Sequence, residues 1–220
     1  PDICLARPIF RQGRVVGFAG AVGHVSDIGG TGLSASAREL FHEGLIIPPM
    51  WAYKSDVPLP LVTELIAANV RIPGEVLGDI EALVVGCRVL EKRVQRILTE
   101  AEDHNLEEIT DALNLRSEAA MRKVIGDLPI DSPVQNEIFM VGQDGPLTIR
   151  VTLEKRGTAL TLDFSGTSAQ VGYGINSVLS YTRAYSLYAI KCALGPTLPN
   201  NDGAFAAIDV TAEPGSLVNP

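Results

Sequence analysis

Aromatic side chains, cysteine pairs and clustered positive charge are all scarce in this chain of 220 residues, and each shortage narrows what it can be. Aromatics make up 5% of the residues, so the core has to be aliphatic. The three cysteines, Cys4, Cys87 and Cys192, lie far apart and form no CxxC pair. An odd number of scattered thiols argues against a disulfide framework and for a reducing compartment, the cytoplasm. In their apolar settings the three read as core thiols. Lys and Arg number 18 against 26 Asp and Glu, a net charge of −8. The densest basic stretch, Arg88, Lys92, Arg93 and Arg96, falls at helical spacing and reads as a solvated helix face. That leaves no basic surface for phosphate backbones and argues against a nucleic-acid partner. No apolar run approaches the ~18 residues that a membrane-spanning helix needs. Pro1-Asp2 opens the chain without Met or a basic-then-apolar leader, and Gly215 to Pro220 closes it without a helix. Both ends therefore read as cut from a longer chain.

What is present is an ordinary globular balance, 46% hydrophobic and 20% charged, with 21 glycines and 14 prolines to make turns. Length alone predicts one large or two small domains. Hydrophobic period separates three zones. Residues 1–33 read as two apolar strands, Cys4 to Phe10 and Val15 to Val25, joined by Arg11-Gln12-Gly13-Arg14 into a buried hairpin. A Gly-rich loop, Asp27 to Gly32, follows. Residues 34–133 are mainly helical. Ser34 to Phe41 suits a short helix, Leu45 to Pro60 a Pro-interrupted ordered loop, and Pro60 to Val70 a helix with Pro in its first turn. From Pro73 to Asn105 the apolar residues Val76, Ile80, Leu83, Val84, Cys87, Leu90, Val94, Ile97 and Leu98 recur at three and four, one helical stripe. Leu106 to Leu128 repeats the pattern, so the two form a long helical hairpin about Asp103-His104-Asn105. Residues 134–220 alternate as antiparallel strands over Ile138–Val141, Leu147–Leu153 and Thr158–Phe164. An amphipathic helix then runs from Ser177 to Leu194, and a strand follows over Ala206–Ala212. The fold class is mixed α+β: an N-terminal β-hairpin, a central helical hairpin and a C-terminal antiparallel β/α region.

Five polar clusters stand out. His24 and Asp27 flank a Gly-rich turn at a strand end in Gly23-His24-Val25-Ser26-Asp27-Ile28-Gly29-Gly30. An imidazole with a carboxylate fits the first shell of Zn, Mn or Fe, or a general base with its orienting acid. It fits equally a turn whose Asp caps the backbone. Asp2 precedes the first strand, and hairpin pairing brings it beside His24. Glu43, next to His42, either enters a site or ends a helix capped by Gly44. Arg71, in Asn69-Val70-Arg71-Ile72-Pro73, suits a bidentate clamp on a carboxylate or phosphate, or a structural pair with Asp79. Asp163-Phe164-Ser165-Gly166-Thr167-Ser168 offers hydroxyls after a strand but matches neither a P-loop nor a nucleophile elbow.

In this order the clusters resemble the hydantoinase B/oxoprolinase family. The matching stretches are Pro1-Asp2, Gly23 to Gly30, Glu43 to Pro49, Asn69 to Pro73, Gly78 to Ala82, Ser117-Glu118 with Met121-Arg122, Asp163 to Ser168, Asn176 and Pro214-Gly215-Ser216, which together span almost the whole chain. The resemblance implies the hydantoinase B-type component of an ATP-dependent amidohydrolase, which opens a hydantoin or 5-oxoproline-like lactam once an ATP-binding hydantoinase A-type partner has phosphorylated it. It implies as alternatives a component of an ATP-dependent acetone or acetophenone carboxylase, or a non-catalytic assembly module. It further implies a divalent metal, Mn before Zn or Fe, with Asp2 and His24 as ligands and Asp27 as a ligand or its supporting partner. Arg71 and Asp79 would contact substrate. Ala82-Leu83 and Leu128-Pro129-Ile130-Asp131 depart from the family's usual residues and leave the choice of substrate open.

Overall fold

The computed structural model describes residues 2–32, 34–101 and 104–220. Pro1 and Asp103, both named above, lie outside them. The chain forms two compact units, Pro1–Leu106 and Glu107–Pro220.

In the first unit, β1 (Asp2–Arg11) and β2 (Arg14–His24) pair antiparallel through a tight turn. Gln12 and Gly13 both take positive φ there, 50° and 78°, the backbone that lets a two-residue turn follow the strand twist. One face of this ribbon packs on α2 (Pro73–Glu100): Ile9, Ala19 and Cys87 form a closed cluster. The other face is open, with Phe18 and Val22 each 67% exposed. The hairpin expected to be buried is therefore buried on one side only, because within this unit a single helix layer covers it. Cys4 also lies exposed, and so does Cys192 in the second unit; only Cys87 is the core thiol expected of all three.

Helix α2 begins with Pro in its first turn and buries Val76, Ile80, Val84, Cys87 and Leu98 of the stripe that its period predicts, with Leu83 and Val94 half-buried, whereas Leu90 and Ile97 at the stripe's edge are exposed. Each such aliphatic side chain contributes about 1.5–3 kcal/mol on burial. Helix α1 (Pro60–Asn69) adds Val62 and Ile66 to a cluster with Val25, Val70, Val76 and Ile80. Between β2 and α1 the expected short helix is reduced to a single 3-10 turn, Leu40–Glu43. The expected loop holds a small hairpin, β3 (Tyr53–Lys54) with β4 (Val57–Pro58). Its turn residues Ser55 and Asp56 sit at φ 50° and 65°. Arg7 of β1 donates to both Asp56 carboxylate oxygens and to Glu91 on α2, so charge holds this hairpin against the helix. Arg88 joins the same network through Asp56 and Glu81 and is not merely a solvated cation.

The second unit is built on a four-stranded sheet, β5 (Val134–Gly142), β6 (Gly145–Arg156), β7 (Ala159–Asp163) and β8 (Ile208–Thr211), in that order. Helices α3 (Leu106–Gly126) and α4 (Leu179–Leu194) contribute Met121, Ile125 and Leu187 to a core with Leu160, Leu162, Ile208 and Val210. The β5–β6–β7 pairs are antiparallel, as expected, but β8 runs parallel to β7. The physical reason is the connection: α4 lies between the two strands and supplies the crossover that parallel pairing needs. A last short helix, α5 (Asp202–Phe205), is capped by Asn201, whose side-chain oxygen accepts from the Ala204 N–H at 3.0 Å. The two long helices lie where the period places them, and each turns its apolar stripe to the sheet of its own unit, α2 to β1 and β2, α3 to the core on β7 and β8.

Candidate functional site at the end of the hairpin

Strand pairing sets the first element of the site. Asp2 and His24 are directly opposed in the β1–β2 register, and His24 Nδ1 lies 2.7 Å from an Asp2 carboxylate oxygen. Both are open to solvent, with side-chain exposures of 82% for His24 and 55% for Asp2. The Nδ1 edge of the imidazole thus faces the Asp2 carboxylate, and Nε2 is the ring nitrogen left for another partner.

Just past His24 the chain turns inward. Val25 is buried among Val62, Val70 and Val76, and Ile28 packs beside it, so the loop between is pulled onto the α1–α2 core. Asp27 is buried, at 8% exposure, and its carboxylate takes three donors: the Gly29 N–H at 2.9 Å, Arg71 Nη1 at 2.7 Å and the Arg71 backbone N–H. Arg71 Nη2 reaches the Gly30 carbonyl at 2.7 Å. In this arrangement the Asp27 carboxylate holds the loop together through Arg71. Asp79, the partner suggested by sequence proximity, is half-buried on α2 and is not among Arg71's partners. Spacing along the chain does not reveal the Asp27–Arg71 pair, because 44 residues separate the two.

A second strap presses on the loop from the other side. The Thr31 N–H donates to the His42 carbonyl at 3.0 Å and the Leu45 N–H to the Ile28 carbonyl at 2.7 Å. A Cβ on Gly30 would meet the His42 oxygen at 2.4 Å, and one on Gly44 the Ile28 oxygen at 2.3 Å. Glycine at both positions is what lets the two backbones close on each other. Glu43 itself is exposed, and His42 spends its Nδ1 on the Arg38 N–H. In the second unit the hydroxyls of the Asp163–Ser168 stretch are used within the fold. Ser165 donates to Asp163, Thr167 exchanges bonds with the Arg150 backbone, and Ser168 accepts from the Thr148 N–H. Asn176 pins both backbone groups of Val171.

The backbone N–H groups of Arg71 and Gly29, ahead of the Arg71 side chain, hold the Asp27 carboxyl below its usual range. A depressed carboxyl stabilises the fold above its unfolded pKa, about 3.9, and that contribution disappears as pH falls through the folded value. Asp27→Asn should therefore lower stability at pH 7, with the gap to wild type closing as the pH falls below about 4. Urea midpoints measured from pH 7 to pH 3 check this, and a gap of constant size would contradict it.

Comparison with known proteins covers the whole chain. Residues 1–220 match the family model for hydantoinase B/oxoprolinase. An uncharacterised protein of Methanocaldococcus jannaschii is 31% identical over 225 residues, covering 100% of this chain and 39% of its own. The crystal structure of the ATP-dependent caprolactamase from Pseudomonas jessenii superposes with a TM-score of 0.84 at 27% identity, over 99% of this chain and 38% of that one. A nucleotide-free acetone carboxylase structure shares the fold, with a TM-score of 0.86 at 20% identity over 100% of this chain and 31% of that one. The chain thus spans about a third to two-fifths of these three relatives' own lengths, and it belongs to the hydantoinase B/oxoprolinase family.

Proposed function

We propose that the chain works as part of the hydantoinase B-type component of a cytoplasmic, ATP-dependent cyclic amide hydrolase that opens a hydantoin or 5-oxoproline-like lactam. The observation that carries this is the Asp2–His24 pair, set by strand register and open to a ligand. The family and the 27% identity to an ATP-dependent caprolactamase support it. An unstrained amide resists water through resonance. Phosphorylating its oxygen on a partner subunit removes that resistance and makes the ring carbon electrophilic. His24 Nε2 then accepts the proton of the attacking water while Asp2 holds the ring at Nδ1. The ring C–N bond breaks as the nitrogen takes that proton back from His24, leaving an amine and an acyl phosphate on one carbon skeleton, and a second water releases inorganic phosphate and the free carboxylate.

In the metal-bound form of this reading the same pair, one carboxylate oxygen and one imidazole nitrogen, would instead serve as ligands to Mn, Zn or Fe, and His24 would not act as the base. Among the described residues no group of three His, Cys, Asp or Glu side chains comes together, so Asp2 and His24 would need ligands beyond these to hold the ion. Bound there, a divalent ion would supply Lewis-acid polarisation. The three free thiols suit the cytoplasm, and among the described residues no helix is long and apolar enough to cross a membrane.

His24→Ala in the complete complex should lower lactam turnover by about 10²–10⁴-fold, the range for loss of a proton-transferring group. It should also remove any divalent metal that copurifies. Turnover at the wild-type rate rules the reading out. The likeness of fold to acetone carboxylase favours a second reading, ATP-dependent ketone carboxylation. Assays with a lactam alone and with a ketone plus bicarbonate separate the two by product.

A further inference from the structure

The geometry points to Arg71, between α1 and α2, as an oxyanion-binding residue held in place by Asp27 of the loop that follows His24. A guanidinium has five N–H donors. Two of Arg71's are used inside the protein, Nη1 to Asp27 and Nη2 to the Gly30 carbonyl, each at 2.7 Å. These two bonds fix the plane of the fork. The side chain is nevertheless 64% exposed, so the Nε hydrogen and the second hydrogen of each Nη remain for a ligand. The buried Asp27 carboxylate, anchored in turn by two backbone N–H groups, is what holds the fork. A fork oriented in advance loses less rotamer freedom on binding than a free arginine, which is how preorganisation raises affinity.

The position relative to His24 sets the ligand's size. His24 and Asp27 are three positions apart in the chain, so their Cα atoms are at most about 11 Å apart. Arg71 is in contact with Asp27. A substrate reacting at His24 would bring an oxyanion of its own to this neighbourhood. Two oxyanions fit that description: the phosphoryl group on an activated lactam oxygen, or a carboxylate carried by the ring. The assignment of either one to catalysis rests on the lactam-opening reading above; the binding of an oxyanion does not.

Isothermal titration of inorganic phosphate and of acetate into the full-length protein tests the site without ATP or turnover. Arg71→Gln should weaken the better-bound ion at least 10-fold, with Arg71→Lys in between. Asp27→Asn keeps the cation but slackens the fork and should weaken it about 3-fold. Thermal melts exclude unfolded variants. Wild-type affinity in Arg71→Gln overturns the subsite. Loss in Arg71→Gln with wild-type affinity in Asp27→Asn overturns the positioning role. In the complete complex, an Arg71→Gln rise in KM for 5-oxoproline but not for 2-pyrrolidinone identifies the carboxylate as the oxyanion, and a rise for both identifies the phosphoryl group. Lost ion binding with both KM values unchanged leaves the subsite standing and overturns its use in lactam opening.

Discussion

Gly30→Ala should cost about 3 kcal/mol or more and loosen the loop that follows His24. Two penalties add at this position. Gly30 has φ +65°, and holding a residue with a Cβ in such a region costs on the order of 1–3 kcal/mol. The new Cβ would also stand 2.4 Å from the His42 oxygen and 2.7 Å from the Glu43 carbonyl carbon. Those are backbone atoms of the facing strap and cannot rotate aside, so overpacking adds roughly another 1–3 kcal/mol. Gly32 provides the control. Its φ is +79°, but nothing lies within 4 Å of its would-be Cβ. Gly32→Ala should therefore carry the conformational penalty alone. Urea unfolding of both variants is the measurement, and equal losses would mean that the close approach of the two backbones has no energetic weight. A melted strap should also expose the Thr31 and Leu45 N–H groups, which hydrogen exchange reads directly.

In the second unit, Met121→Ala should cost about 2–5 kcal/mol, the range for emptying a well-packed core site. Met121 is fully buried and sits with Ile125, Leu160 and Ile208 where α3 meets the sheet. Its loss leaves a cavity bordered by strands that cannot close on it without disturbing the β7–β8 pairing. Leu115→Ala on the same helix, at a side chain that is 68% exposed, should change stability by no more than about 0.5 kcal/mol. Similar losses for the two would contradict the assignment of the helix's buried face.

Much of the candidate site is legible in the order of residues. The hairpin brings Asp2 to the neighbourhood of His24, but their direct opposition rests on a bulge: the two-residue turn pairs Arg11 with Arg14 and would carry Asp2 to Gly23, and the register shift between Ile9 and Phe10 moves it on to His24. The glycines after His24 announce a tight loop, although not the strap that lies against it. The partner of Arg71 is not legible in the same way. A guanidinium near a helix start can serve any carboxylate in reach, and spacing along the chain favours Asp79 over an acid 44 residues away.

Local elements and the nearness of Asp2 to His24 thus follow from the residues alone, whereas the bulge that sets them directly opposite belongs to the folded hairpin. Periods of two and 3.6 residues produce β1, β2, α1, α2, α3 and α4 within a few residues of their observed ends, because each apolar stripe has to find cover whatever the partner. Everything that depends on which cover is found belongs to the tertiary fold. It divides the helical zone between two units, giving α2 to the hairpin and α3 to the sheet. It sets β8 parallel to β7, leaves one face of the β1–β2 ribbon open, and gives Asp27 to Arg71. Periodicity records that a face is apolar or that a residue is charged. The partner is chosen only when distant segments compete for the same surface, and that competition is settled by packing and by the cost of leaving a buried polar group unpaired.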